Sequence, residues 1–296
     1  MESAADKFKK RDRAHRLMSV DGKFRAAFIK NTDTAQIAAL RHNLNGAASV
    51  CLAKALGAAS LLSMFLKGEE RIIVEVLSDT ALPRIYAEAI QVGEARGFVE
   101  RTPDFKDNAH IDLYSGFLRV SRILYNKSEP LTGIVPLNVG DISSDLAYYL
   151  HQSEQIPSTV FIESETGNDG IISKSGGIIV QAMPGATFND ILEIEKKIVS
   201  TDDLLAKIIE GASDTENIKK VLPFDFSLLK STPVDFYCRC SKDSFISKLI
   251  TLGKKEISEM QQSGQNELVC RYCNERYYLD DNDYTNILTI INSKRN

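Results

Sequence analysis

Four of the five cysteines in this 296-residue chain stand in two tight pairs, Cys238 and Cys240 in "FYCRCSKDS", Cys270 and Cys273 in "LVCRYCNER". Two cysteines at i and i+2 of an extended backbone point to one face, and two at i and i+3 around a turn do the same. Together they offer four soft ligands, the number a closed tetrahedral zinc site requires. The C-x-C spacing and the 29 residues between pairs depart from the commonest C-x2-C…C-x2-C arrangement. His151 is the last histidine, so no imidazole close in sequence competes with the thiols. The segment that carries the pairs, 231–296, has 66 residues and a thin apolar complement. Structural zinc contributes about 10–16 kcal/mol in small domains, against about 5–15 kcal/mol for the stability of a whole domain. This tail is therefore expected to fold with metal and to be largely unfolded without it.

Spacing by itself leaves the use of such a site open, and an inert zinc-ribbon staple is the reading it favours. A constitutive nucleic-acid-binding ribbon is a second, since Arg239, Lys242, Arg271 and Arg276 flank the pairs. Against it, residues 231–296 hold nine Lys/Arg and nine Asp/Glu, and the whole chain has a formal net charge of −4. That is no basic footprint. A thiol–disulfide oxidoreductase is a third, but a thioredoxin-type C-x-x-C leaves Cys238 and Cys240 without a task. A zinc deaminase needs H-x-E and an open coordination position, neither of which is present. No P-loop, dinucleotide fingerprint or nucleophile elbow occurs. Gly176 and Gly177 in "SGGIIV" read as a bulge or tight strand entry rather than a phosphate cradle. No catalytic residue emerges, and the chain is not expected to be an enzyme.

Upstream, residues 1–183 mix helical and strand periods and read as an α+β domain with a β-sheet core. A long helical pattern runs over 34–66 through Leu40, Leu44, Ala48, Leu52, Leu56 and Leu61. Its stretch "GAASVCLAKALGAASLLSMFL" contains Lys54 and much Ala and Ser, so it reads as a buried helix rather than a membrane span. Cys51 lies there alone, a buried thiol first and an auxiliary redox group second. Strands are expected at "RIIVEVLS", "ARGFVER", "GFLRVSRILY", "LTGIVPLN", "STVFIESE" and "GGIIVQAMPG", and a helix from Asp141 to before Pro157. Residues 184–230 form a short-helix linker with three apparent capping boxes, Thr187/Asp190, Ser200/Asp203 and Ser213/Glu216. Helices of roughly 8–12 residues are marginal in water unless packed on something. Residues 231–296 are the small C-terminal four-cysteine zinc domain, with two short helices, a hairpin around the second pair and a terminal helix from near Asp281. The opening stretch 1–24 is polar and lacks an apolar core, so no secretory leader is expected, and the default compartment is the cytoplasm.

The tail resembles the redox-regulated heat-shock chaperone family of about 33 kDa, heat shock protein 33, which carries C-x-C followed by C-x-x-C at about this separation. The resemblance extends to "DLAYYLHQSEQIPS" and "SGGIIVQAMPGA" and covers nearly the whole chain. It departs at "DTALP", where a glycine-rich turn is expected, and at the unmatched Cys51. The resemblance implies an ATP-independent holdase that serves unfolding proteins under oxidative stress. In the reduced, inactive form one zinc per chain would sit on Cys238, Cys240, Cys270 and Cys273. Oxidation would form the disulfides Cys238–Cys240 and Cys270–Cys273, release zinc and unfold the tail and linker. Apolar surface of the 1–183 domain would then bind clients, and the active form would dimerise. Neither membrane nor nucleic acid is an expected partner.

Overall fold

The computed structural model describes residues 11–106, 113 and 115–293, so the first ten residues of the polar opening stretch lie outside the described residues. Two compact units result, Met1–Tyr237 and Cys238–Asn296.

Two sheets build the first unit. One has spatial order β10-β1-β2-β9-β8, from β1 (Arg13–Ser19), β2 (Phe24–Lys30), β8 (Ser158–Thr166), β9 (Ile172–Ala182) and β10 (Phe226–Pro233). The other has order β11-β5-β4-β3-β6-β7, from β3 (Arg71–Ser78), β4 (Arg84–Ile90), β5 (Glu94–Glu100), β6 (Gly116–Ile123), β7 (Leu131–Pro136) and β11 (Asp235–Phe236). Neighbours are antiparallel except β11, which runs parallel to β5. Strand alternation sets the inner faces: Ile72, Val74 and Val76 of β3 are fully buried, as are Ala27 and Ile29 of β2.

Between the sheets lies α2 (Gly46–Ser63), whose Leu52, Leu56 and Leu61 join the inner faces of both in one core. Apolar on nearly every side, it is long enough to cross a membrane, yet 72% of it is buried inside the protein. It is a core helix. The continuous pattern expected over 34–66 is in fact two helices, α1 (Thr32–Arg41) and α2. Asn43 (φ 50°) takes a left-handed backbone conformation that turns the chain after α1, and Gly46 (φ 53°), also left-handed, opens α2. Helix α3 (Ile142–Gln152) starts as expected, with the Asp141 side chain accepting from Ser144 N.

A second core forms on the opposite face of the β10-β1-β2-β9-β8 sheet. There α4 (Phe188–Val199), α5 (Leu204–Ser213) and a 3-10 turn (Thr215–Lys220) cover Leu17, Phe24, Phe28, Ile178 and Val180 with Ile191, Ile194, Ile198, Ile208 and Ile218. Of the three expected capping boxes only Thr187/Asp190 forms. Ser200 ends α4 and spends its hydroxyl on the Lys197 carbonyl (3.0 Å), while Asp203 is left-handed (φ 50°) and caps nothing. Asp214, not Ser213, caps the third segment, which is 3-10 rather than α.

Strands β1, β2, β4, the two-residue β11 and β10 are not among those that alternation predicts. The last matters most, because the expected boundary between 230 and 231 falls inside β10, which pairs with β1. Gly176 and Gly177 sit mid-strand in continuous register with β2 and β8, without a bulge. A Cβ on Gly177 would meet Phe161 O at 2.7 Å, so close strand approach explains the residue.

Candidate metal centre

The second unit is built from α6 (Lys242–Leu249), α7 (Lys254–Gln262), β12 (Glu267–Val269), β13 (Arg276–Tyr278) and α8 (Asp281–Ser293). Its buried apolar core consists of Leu249, Ile257, Leu279, Tyr284, Ile287 and Ile291. A core that small is a weak source of stability.

The two cysteine pairs occupy the ends of these elements. Ser241 directly after Cys240 is the N-cap of α6 and forms a capping box with Ser244, which fixes how the chain leaves the first pair. The second pair lies in the loop of the β12–β13 hairpin. Cys270 N donates to Glu275 O (2.8 Å) and Asn274 N to Cys270 O (2.7 Å), a tight turn that Asn274 permits by going left-handed (φ 56°). All four sulfurs lie within 4.8 Å of one another, the one cluster of potential metal ligands among the described residues. Cys238 Sγ is 3.8 Å from Cys270 Sγ, and Cys240 Sγ is 3.4 Å from Cys273 Sγ.

These distances test the fit. Zn–S bonds of about 2.3 Å in a tetrahedron place sulfurs about 3.8 Å apart. The observed separations lie around that value, and four thiols are the donor set of a closed tetrahedral site. The cluster could hold a metal ion.

Electrostatics around the sulfurs is uneven. Cys270 and Cys273 are buried, and loss of solvent raises both thiols above their usual range. Cys240 is partly exposed; burial opposes its ionisation, but hydrogen bonds from Tyr277 and the neighbouring cysteines hold it below the usual value. A divalent cation reverses the preference of the buried thiols and draws them to thiolates.

Tyr277 is the residue that cysteine spacing does not reveal. Its hydroxyl lies 3.3 Å from Cys240 Sγ and donates to Cys240 O at 3.1 Å, and its ring packs against Phe245 at 5.6 Å. The bond to Cys240 keeps its phenol protonated well above the usual range. Alternation in "RYY" could have marked one of Tyr277 and Tyr278 as facing the site. The fifth cysteine, Cys51, lies in the other unit on α2.

The Hsp33 protein family model matches residues 12–280. The chain is similar to the 33 kDa chaperonin of Desulforamulus reducens, 34% identical over 289 residues that cover 94% of this chain and 98% of that one. The 33 kDa chaperonin of Bacillus subtilis is 33% identical over 269 residues, 88% and 92% of the respective chains. The crystal structure of the 33 kDa chaperonin from Thermotoga maritima superposes with a TM-score of 0.82 at 26% identity, over 96% of this chain and 99% of that one.

Proposed function

The chain belongs to the Hsp33 protein family, and from that premise we propose that it is a redox-regulated, ATP-independent holdase for unfolding proteins in the cytoplasm under oxidative stress. The observation that carries the reading is the set of four sulfurs within 4.8 Å of one another in a unit with so small an apolar core. Cys238, Cys240, Cys270 and Cys273 would hold one zinc ion per chain in the reduced form. Bound there, zinc supplies a cross-link between the start of the unit and its hairpin, worth about as much as a whole small domain's stability.

The switch lies in the thiols. A thiolate of either pair attacks a peroxide oxygen, breaking the O–O bond and expelling hydroxide, and its partner sulfur then attacks the sulfenic sulfur, forming the S–S bond and expelling the second oxygen as hydroxide. The two thiols give up two electrons, and the peroxide is reduced to two waters. Once Cys238–Cys240 and Cys270–Cys273 are closed, the sulfurs no longer serve as metal ligands, and unfolding of the 238–296 unit follows from the lost cross-link. Each pair reacts stoichiometrically, which makes the protein a switch rather than an enzyme.

What a loosened linker would uncover follows from its packing. Helices α4 and α5 have 12 and 10 residues, lengths that are marginal in isolation, and they cover the sheet face of Leu17, Phe24, Phe28, Ile178 and Val180. Releasing them bares that face together with their own isoleucines, a contiguous apolar surface that captures clients without nucleotide and favours dimerisation.

Zinc content and suppression of client aggregation, measured on one sample before and after peroxide with mild heat, test this reading. Release of one zinc per chain together with onset of suppression is expected. Equal suppression with and without oxidant would remove the switch.

A further inference from the structure

Beyond the end of α2, the layer between the two sheets closes over a cluster of guanidinium groups. Arg16 on β1 and Arg25 on β2 are in phase with the inward-facing Ala14 and Ala27, so both project from the inner face of the β10-β1-β2-β9-β8 sheet. Arg122 arrives from β6 of the other sheet. Arg16 Nη1 donates to Met64 O (3.3 Å), just past α2. Arg25 Nε donates to Gln181 Oε1 (2.8 Å), and its guanidinium lies 4.6 Å above the Phe65 ring. Arg122 pairs with Glu154, whose other oxygen accepts from Tyr149 (2.9 Å).

These contacts leave two things over. Arg16 Nε and Arg122 Nε are buried and have no hydrogen-bond partner among the described residues. Charge is also in surplus. Burial foremost, then Arg122 and Arg16, push the Arg25 guanidinium below its usual value, and Glu154 is the one charge that opposes them. Three cations against one carboxylate give a local sum of +2.

We propose that Arg16, Arg25 and Arg122 form a binding site for a phosphate-class oxyanion. A phosphate dianion cancels the local surplus, and its oxygens are natural acceptors for the Nε donors of Arg16 and Arg122 left without partners among the described residues. The anion would join β1 and β2 to β6 and so brace the two sheets against each other. A track for a polyanion needs a basic stripe, whereas this cluster is compact and the chain as a whole is acidic, at −4. The shared chemistry admits two sources, free phosphate or the phosphate of a mononucleotide.

The test uses the full reduced chain, titrated with inorganic phosphate and separately with AMP, against sodium chloride at equal ionic strength. Calorimetry and the thermal midpoint are the readouts. Saturable phosphate binding with a rise in midpoint is expected, weakened about tenfold or more in Arg25→Gln. Arg25→Lys keeps the charge but loses the fork, and is expected to fall between the two. AMP binding at least as tightly as phosphate assigns the site to phosphomonoesters, and phosphate binding alone assigns it to the free anion. No saturation above the chloride control overturns the proposal. So does undiminished binding by Arg25→Gln, with circular dichroism showing that each variant is folded.

Discussion

His15 Nε2 donates to the carbonyl oxygen of Ala212 at 3.0 Å and so ties β1 to the last turn of α5. The imidazole is 4% exposed, stacks on Phe28 at 4.7 Å, and has no partner for Nδ1 among the described residues. Burial lowers its pKa, the Ala212 carbonyl opposes that, and Arg13 adds to the lowering. Once α5 is released, the ring returns toward its ordinary value of about 6.5. The released state then binds more protons, so docking of the linker weakens as pH falls from about 6.5 toward the depressed value and is insensitive above it. The loss cannot exceed about 1.4 kcal/mol per pH unit, the work of one proton. Urea unfolding of the reduced protein at pH 7.5 and 5.5 checks this. His15→Gln keeps the donor without the titration, and the expected result is a flatter pH response. An unchanged response would remove His15 from the linkage.

Ile208 is fully buried between α5 and the sheet. Truncation to alanine in such a place costs about 2–5 kcal/mol, most of it borne by the docked linker, while Cys238, Cys240, Cys270 and Cys273 are untouched. Ile208→Ala is expected to suppress client aggregation in the fully reduced, metal-loaded state. Wild-type behaviour of that variant before oxidation would mean that the covered sheet face is not the one clients use.

The cysteine pairs, the hairpin around Cys270 and Cys273, and the terminal helix with Tyr284, Ile287, Leu288 and Ile291 on its inner side are legible, because each depends on local spacing, although Leu288 is only partly buried. Most strands of the second sheet were legible too, since "RIIVEVLS" alternates plainly. Features set by distant partners were not. β1 and β10 are short, carry charge, and gain their identity from pairing with each other across more than 200 residues. The break between α1 and α2 rests on the left-handed Asn43 and a left-handed Gly46 at the start of α2, which apolar periodicity alone does not register. Tyr277 reaches Cys240 only through the folded hairpin.

Cys51 is set apart from the switch by its surroundings. Cys51 is only partly buried on α2, packed against the core, and the loss of solvent there pushes its thiol up to about 11, with Lys54 lowering it only in part. Little thiolate is present at neutral pH, and the thiolate is the nucleophile. Cys51→Ser is expected to leave peroxide-triggered zinc release unchanged, and mass spectrometry after brief iodoacetamide treatment of the native protein should find Cys51 unmodified. Rapid alkylation there would contradict the assignment.

Metal removal separates the two units. With a thiol reductant present, so that no disulfide forms, a strong chelator is expected to abolish amide-exchange protection in α6, α7 and α8. Helix α2 should keep its protection, because its core comes from the two sheets and not from the sulfurs. Retained protection in α8 after complete chelation would show that Leu249, Ile257, Leu279, Tyr284, Ile287 and Ile291 suffice to hold the unit.

Tyr277 offers a direct handle on the rate of switching. A hydroxyl 3.3 Å from Cys240 Sγ draws charge from the sulfur and makes it a poorer nucleophile toward peroxide. Tyr277→Phe removes that bond and preserves the ring packed on Phe245. For a hydrogen bond worth about 0.5–1.5 kcal/mol, the rate rises roughly 2- to 10-fold. Zinc release under a fixed peroxide concentration, followed with a colorimetric chelator, is expected to quicken by that factor. Zinc affinity of the reduced variant, measured by competition, distinguishes this from a looser site, since mere loosening would lower affinity without dependence on peroxide. Release at the wild-type rate would leave the hydroxyl only its bond to the Cys240 carbonyl, a brace for the loop and not a control on the thiol.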